Sequence, residues 1–325
     1  MEHVRRESGR IEGVGVTAAD RGIGGPGGPG GSGTARRGRH GRGYAYGLAA
    51  ILLAAIAASS AGILVRQIEV ASGWQILFYR SLAFSLVVLV VVVGRHRSRT
   101  VAAFRAIGRP GLVAAISLGG AFIAFIFALL WTTVAEAVFI LSCAPFFAAL
   151  LGRMVLGEAV GGAMWAAMAI ALGGIAVMVA DGLGGGGWGA AAALAACLGY
   201  AAAIVALRAG RGVDMMPATC LSGVFAGLVC LPFVGSLAIG GHDLVFALVL
   251  GSGQIGLQYI LVTIAARHVP AAQIALLMLV EVALAPLWVW IGIGEVPSGH
   301  TLAGGAIVAV AVAAQAVHAL RRGTA

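Results

Sequence analysis

Lysine is absent from the 325 residues, and charged residues of all kinds make up only 10% of them. Soluble globular domains carry about 25% charged residues and need them on the surface that faces water. Here 60% of the residues are hydrophobic and the mean hydropathy is +1.01. The composition therefore excludes a water-soluble globular protein and predicts a protein of the lipid bilayer.

Residues that form disulfides or bind metals are also scarce. The seven histidines are scattered without ligand spacing, and the cysteines lie in apolar runs without a Cys-x-x-Cys pair; they are Cys143, Cys197, Cys220 and Cys230. We predict buried cysteines, no disulfide and no metal site. A Gly-x-Gly-x-x-Gly pattern at Gly251, Gly253 and Gly256 lies inside an apolar run, without the strand that a dinucleotide site requires. We predict close helix packing there and no cofactor.

The net charge of +9 comes from 21 arginines, eight of which lie in the first 43 residues beside a Gly/Pro-rich run at 22–33. Such sequence has too few apolar side chains to pack, so residues 1–43 are predicted to form a disordered basic tail. Next to a membrane, a basic tail fits a topology signal and a contact with anionic lipid. We therefore expect the lipid bilayer, and no nucleic acid, as its partner.

Ten apolar runs follow the tail, each close to the roughly 20 residues that a helix needs to cross a bilayer core. They lie at 44–65, 74–93, 110–131, 135–156, 161–180, 188–207, 217–239, 244–265, 271–293 and 301–319. The tightest break is Thr132-Thr133, and nine helices result if it is only a kink. We predict an all-α polytopic membrane protein with ten transmembrane helices.

The placement of arginine predicts the orientation. If the N-terminus is cytoplasmic, every arginine except Arg66 and Arg80 falls in a cytoplasmic segment. This distribution follows the positive-inside rule. We predict a bacterial inner (plasma) membrane protein with both termini in the cytoplasm.

The runs divide into two halves of five. The fourth run ends in Gly157-Glu158 and the ninth in Gly294-Glu295, 137 positions later. Because each half holds an odd number of helices, the second half enters the membrane in the opposite sense, and inverted repeats place a binding site at the midplane. The predicted repeats are residues 44–180 and 181–325.

These features resemble the EamA-type carriers of the drug/metabolite transporter superfamily over roughly residues 45–320. The resemblance rests on an Ala-rich fourth helix with a proline, on the two Gly-Glu ends and on an arginine in the second helix; the residues are Pro145, Gly157-Glu158, Gly294-Glu295 and Phe78-Tyr79-Arg80. It implies a ten-helix carrier with both termini inside, of a family in which many members export amino acids, nucleotides or other metabolites. Such carriers often read Glu-Pro in the ninth helix, whereas this chain reads Glu281-Val282 with a proline at Pro286.

Ionisable residues at membrane depth indicate where a site lies, because a charge facing lipid costs about 2.5–3.5 kcal/mol. Glu281 lies near the middle of the ninth helix, Arg80 within the second, and Glu136 at the exterior start of the fourth. Glu281 is the leading candidate to bind a coupling proton or a substrate ammonium group. In the alternative interpretation, Arg80 forms a salt bridge with a glutamate that only holds the bundle together.

Polar and aromatic residues inside the helices complete the predicted cavity. Gln254 and Gln258 share one helix face, which should point away from lipid. The other candidates for substrate or proton binding are Tyr79, Ser59 and Trp288. The remaining polar and aromatic residues expected to contribute to the wall are Ser60, Trp131, Tyr200, Tyr259, Gln273 and Trp290. Glu158 and Glu295 each follow a glycine at a helix end, and we predict that they are structural caps of the next helix.

We therefore predict a secondary transporter of a small metabolite such as an amino acid, working by alternating access and, by analogy with the family, in the direction of export. The alternatives are an intramembrane enzyme acting on a lipid-linked substrate, which would need clustered catalytic groups at one membrane face, and a channel. We expect a small-molecule substrate and no enzymatic activity, and the sequence leaves a homodimer open.

Overall fold

The computed structural model describes residues 31–65, 67–132, 134–179, 187–294 and 298–323. Every regular element in these ranges is a helix, which confirms the all-α prediction. The first 30 residues of the predicted tail lie outside the described residues. The backbone of residues 31–42 continues the first helix, so that this helix begins well before the predicted start at residue 44. Arginine, which occurs four times there, is a good helix former.

The helices of the two halves have the following bounds. The first half contains α1 (Gly31–Ser59), α2 (Ala61–Val65), α3 (Gly73–His96), α4 (Thr100–Ala106), α5 (Gly108–Trp131), α6 (Val134–Leu141), α7 (Ala144–Leu156) and α8 (Gly162–Val179). The second half contains α9 (Gly187–Ala209), α10 (Met216–Cys230), α11 (Gly241–Val249), a π-helical segment (Leu250–Gly256), α12 (Leu257–Ala265), α13 (Ala271–Met278), α14 (Val280–Ile293) and α15 (Gly299–Gly323).

Within the described ranges these helices form ten membrane spans. Nine are long and apolar enough to cross a bilayer, and the remaining one, α8, has a shorter apolar stretch, Gly162–Met178. In chain order, spans 1 to 10 are α1 with α2, α3 with α4, α5, α6 with α7, α8, α9, α10, α11 with the π-helical segment and α12, α13 with α14, and α15. Thr132 has extended backbone dihedrals between α5 and α6, so the tightest predicted break is a true boundary.

Packing between spans follows a two-fold pattern that exchanges the two halves. Spans 3 and 6 pack against each other, and so do their counterparts in the other halves, spans 8 and 1. Spans 2 and 8 are also in contact, as are their counterparts, spans 7 and 3. Spans 2 and 7, 4 and 9, and 5 and 10 face each other directly. Each span n therefore corresponds to span n+5, as expected for two inverted five-helix repeats related by a pseudo-two-fold axis.

Spans 4 and 9 are both broken near the middle. The first break lies between Leu141 and Ala144, and the second lies at Leu279. Ser142 and Leu279 are 137 positions apart, the same offset that relates the two Gly-Glu ends. Pro286 lies inside α14 and not at the break. Breaks leave helix-terminal backbone groups without helical partners, so at membrane depth they are tolerated where they line a cavity.

The two ends of the bundle differ in charge. The end formed by residues 95–109, 208–215 and 266–268 carries eight arginines, and we call it the arginine-rich end. The opposite end, formed by residues 67–72 and 231–240, is called the arginine-poor end. Hydrogen bonds between different spans confirm that each set of segments lies together. Arg267 bonds to Val213 at one end, and Gln75, in the first turn of α3, bonds to Ala238 at the other.

A candidate solute-binding cavity

A cavity of about 220 Å³ lies between the two halves. Spans 1, 2, 3, 4, 6, 8 and 9 contribute side chains to its wall, and both helix breaks reach it through Ser142 and Leu279. The cavity brings together four of the sequence-predicted site residues, Glu281, Arg80, Gln254 and Gln258.

Glu281 is half-buried and lies in the first turn of α14, where the positive end of the helix dipole favours a carboxylate. It forms no hydrogen bond or ion pair with another described residue. Ala144 also lines the cavity and lies 137 positions earlier, at the start of α7. The second repeat thus places a carboxylate where the first repeat has a methyl group.

Arg80 lines the same cavity from span 2, and its Cζ atom lies 5.8 Å from the ring centroid of Phe122, which allows a cation–π contact. Its position depends on Gly251, because a Cβ atom there would overlap the carbonyl oxygen of Arg80. Gly256 packs in the same way against Val87. The predicted helix packing therefore holds for these two glycines, whereas a Cβ atom at Gly253 would meet only its own helix.

The salt bridge that we considered as an alternative role for Arg80 does not occur among the described side chains. Glu136, one of its two predicted partners, has a backbone in α6 but a side chain outside the described part of the chain. Glu281, the other, shares the cavity with Arg80 without pairing with it. The cavity wall therefore presents one cation and one anion, each without a charged partner in the described structure.

Gln254 and Gln258 are buried neighbours at the π-helical segment of span 8. The Nε2 group of Gln254 donates to the carbonyl oxygen of Ala58 at 3.1 Å and to Oε1 of Gln258 at 3.5 Å. Within the described structure, Oε1 of Gln254 is buried without a hydrogen-bond partner, and the amide of Gln258 donates to no residue. The pair therefore leaves one acceptor and one amide group unmatched in the cavity wall.

Aromatic rings form much of the remaining wall. Phe122 contacts Tyr259 edge-to-face at 5.4 Å between centroids, and Phe84 supports both rings from behind. Tyr200, like Tyr259, was expected in the cavity from the sequence and lines it. Phe125 and Phe122 were missed, because an apolar residue in a membrane helix looks the same in sequence whether it faces lipid or a cavity.

Three predicted site residues do not line the cavity, and neither do four of the expected wall residues, Ser60, Trp131, Gln273 and Trp290. Tyr79 donates a hydrogen bond of 2.5 Å to the carbonyl oxygen of Leu237 at the arginine-poor end. Trp288 donates to Oγ of Ser59 at 2.7 Å and so joins spans 9 and 1. In this structure their polar groups therefore form hydrogen bonds within the protein, away from the cavity.

Glu158 caps a helix, but not the helix that follows it. Its carboxylate forms an ion pair with Arg208 and accepts a hydrogen bond of 3.3 Å from the backbone N–H of Ala271, the first residue of α13. Arg208 is buried, and a buried guanidinium needs a counter-charge, which accounts for the direction of the Glu158 side chain. Glu295 lies outside the described residues.

Within the described residues, no group of three His, Cys, Asp or Glu side chains could hold a metal ion. The central site is therefore defined by one guanidinium, one carboxylate, two amides and aromatic rings. Such groups can bind a polar organic solute by charge and hydrogen bonds.

Comparison with known proteins assigns the fold. The sequence profile of the EamA-like transporter family matches residues 45–180 and again residues 187–315, one match for each half. A crystal structure of another protein superposes with a TM-score of 0.72 at 21% sequence identity, over 86% of this chain and 98% of the other. At that identity the likeness shows the fold alone. No curated protein matches the chain.

Proposed function

This chain belongs to the EamA-like transporter family, whose members carry small solutes across membranes, and we propose that it is a secondary carrier of a zwitterionic metabolite such as an amino acid. The observation that supports the substrate class is that Arg80 and Glu281 line one cavity and neither is ion-paired with a described residue. Unpaired charges at membrane depth are costly. A ligand with one carboxylate and one ammonium group would give each of them a partner.

The side-chain amides of Gln254 and Gln258 are also consistent with a zwitterionic ligand. The amide of Gln258 can donate to the carboxylate of the ligand, and the unmatched Oε1 of Gln254 can accept from its ammonium group. The aromatic wall formed by Phe122 and Tyr259 would accommodate an apolar side chain. The proposed substrate is therefore small, zwitterionic and partly apolar.

In this proposal the carrier works by alternating access, with the two repeats rocking about the central cavity. Glu281 binds the ammonium group and, when the cavity is empty, can take up a proton that couples transport to a pH gradient. The proposed setting is a bacterial inner membrane, with both termini cytoplasmic and transport directed outward. The arginine-rich end would then face the cytoplasm.

Counterflow in proteoliposomes tests the proposal. Vesicles that contain the purified protein are loaded with one unlabelled amino acid at a time, and uptake of the same labelled compound is followed at pH 6 and pH 8. We expect labelled substrate to accumulate transiently. Glu281→Gln and Arg80→Gln should each reduce that accumulation more than about tenfold, since each removes one charge contact worth roughly 1.5–3 kcal/mol. Exposed Glu69 and Arg153 provide matched controls as Glu69→Gln and Arg153→Gln.

Each outcome separates one alternative. Label that equilibrates without transient accumulation indicates a channel, and label recovered in a chemically changed form indicates an intramembrane enzyme. Normal counterflow with an unchanged pH profile in Glu281→Gln would refute the role of this carboxylate. Counterflow of only uncharged or singly charged compounds would refute the zwitterionic substrate while leaving the carrier function intact.

A further inference from the structure

A second cavity, of about 330 Å³, lies at the arginine-rich end among spans 1, 5, 9 and 10. It shares no lining residue with the central cavity. Four polar side chains lie in its wall: Tyr44, Gln273, Gln315 and His318. The proposed transport mechanism uses none of them.

These side chains offer hydrogen bonds that the described protein does not use. Gln273 donates from Nε2 to the Tyr44 hydroxyl oxygen at 2.5 Å, which leaves the hydroxyl hydrogen for another acceptor. Gln315 is only 9% exposed, and its amide makes no hydrogen bond to a described residue. Nε2 of His318 is buried and likewise has no hydrogen-bond partner in the described structure. Buried polar groups in proteins are nearly always paired, so the unpaired groups of Gln315 and His318 in one cavity wall indicate an occupant.

The beginning of α8 forms part of the same wall. Residues 159–161 and the first turn of this 18-residue helix line the cavity. The first N–H groups of a helix have no partner within it, and they carry the positive end of the helix dipole. Glu158, the residue placed to cap them, is instead engaged with Arg208 and Ala271. Such a helix start favours an anionic oxygen ligand.

The rest of the wall is apolar, with Ala159, Val160, Met164 and Ala319 among its residues. The cavity also lies at the ends of four of the spans, where a bilayer would place its lipid headgroups. An occupant with an anionic oxygen group and an attached apolar portion fits both the donors and the apolar wall.

We propose that this cavity binds the phosphodiester of a phospholipid from the leaflet at the arginine-rich end, with the amide of Gln315, His318 and the start of α8 around the phosphate. This inference depends on the placement of the chain in a membrane and not on the transported substrate. A lipid headgroup and free inorganic phosphate would both present a phosphate oxyanion to this site, and the lipid is the proposed ligand.

Binding to the full-length purified protein in detergent tests the proposal. Three probes are titrated, with thermal unfolding and native mass spectrometry as readouts: dihexanoyl-phosphatidylglycerol, inorganic phosphate and dihexanoylglycerol. We expect the phospholipid to raise the unfolding temperature and to remain bound as a mass adduct.

Gln315→Leu and His318→Leu should weaken the binding of the phospholipid at least tenfold. Both changes replace a buried polar group with an apolar one and should leave folding intact. Gln67→Leu, at an exposed glutamine of the opposite end, is the matched control.

The other outcomes overturn the proposal in distinct ways. Inorganic phosphate that binds as tightly as the phospholipid would identify a site for a free anion. Dihexanoylglycerol that binds as tightly would identify an apolar groove in which the phosphate has no role. Unchanged phospholipid binding in both the Gln315→Leu and His318→Leu proteins would place the lipid elsewhere. Because none of these readouts involves transport, they do not depend on the proposed function.

Discussion

The two ends of the helix bundle are held together by different kinds of contact. At the arginine-rich end, charged side chains from different spans form ion pairs: Glu158 pairs with Arg208, and Asp214 pairs with Arg267. At the arginine-poor end, a buried aspartate, Asp243, accepts hydrogen bonds from the backbone N–H groups of residues 69–71 at 2.8–3.1 Å. The first kind of contact fixes the ends of helices from both repeats, and the second fixes a loop against one helix.

The two parts of span 9 show a related contrast. Every residue of α13, on the arginine-rich side of the break, is buried, whereas residues 281–287 of α14 are only half-buried. Between Ala275, which lines the central cavity, and the arginine-rich end, the bundle is closed by packed side chains and by the Glu158–Arg208 ion pair. Access to the cavity from the arginine-rich end would therefore require a buried ion pair to separate. Four predictions test how differently the two ends are stabilised.

The largest effect is expected for Arg208→Leu. The guanidinium bonds the carboxylate of Glu158 and donates through Nη1 to the carbonyl oxygen of Ala266 at 3.1 Å, so its loss leaves a mostly buried carboxylate without a counter-charge. Removing one member of a buried pair typically costs about 3–5 kcal/mol. The free energy of unfolding in detergent should fall by about 3 kcal/mol, and Glu158→Leu in the same chain should restore much of it.

Arg153→Leu is the control for this measurement, because Arg153 is exposed at the same end of the bundle. Its stability should change by less than about 0.5 kcal/mol. If Arg208→Leu and Arg153→Leu prove equally mild, the ion pair contributes little, and the closure of the arginine-rich end depends on apolar packing.

The sequence predicts some of this organisation and not the rest, for physical reasons. Arg80, Glu281 and the two glutamines could be selected because polar groups at membrane depth must face the protein interior. The partner of Glu158 could not, since Arg208 comes from the other repeat and only the three-dimensional packing brings them together. The break at Leu279 has no local signal either: the nearest proline, Pro286, lies well inside α14.

A smaller loss is expected for Asp243→Ala at the arginine-poor end. The change removes the acceptor of three backbone hydrogen bonds, yet the 69–71 loop can turn its N–H groups to water when released. Thermal stability should fall by less than in Arg208→Leu, while protease cleavage within residues 67–72 should accelerate. Asp243→Asn keeps one acceptor oxygen and should lie between the wild type and Asp243→Ala. Loss of stability as large as in Arg208→Leu would remove the proposed difference between the two ends.

Asp214→Asn should have a still smaller effect. Asp214 accepts from His96 at 2.9 Å and lies 3.2 Å from Arg267 and 3.8 Å from Arg95, both of which are exposed. Exposed ion pairs contribute about 0–1 kcal/mol and are screened by salt. We expect a loss of about 1 kcal/mol at low ionic strength that largely disappears in 1 M NaCl. A loss that persists in high salt would show that the carboxylate acts mainly as a hydrogen-bond acceptor, as it does for the backbone N–H of Met216.

The smallest effect concerns the pH dependence of the arginine-rich end. His268 lies in the loop between spans 8 and 9, where partial burial lowers the pKa of its imidazole below the ordinary value near 6.5, and the positive charges of Arg267 and Arg208 lower that pKa further. In the unfolded chain the imidazole takes up a proton as the pH falls through about 6.5, whereas in the folded chain it stays neutral to lower pH. The unfolded state then binds more protons, so His268 contributes a loss of stability as the pH falls below about 6.5.

His268→Gln should make the unfolding temperature depend less on pH between 7.5 and 5.5, and the difference between the wild-type and His268→Gln curves isolates the contribution of this residue. Arg208→Leu removes one of the charges that depress the pKa and should shrink the same difference. Parallel curves for wild type and His268→Gln would mean that the imidazole titrates alike in the folded and unfolded chains, and that the nearby arginines are screened from it.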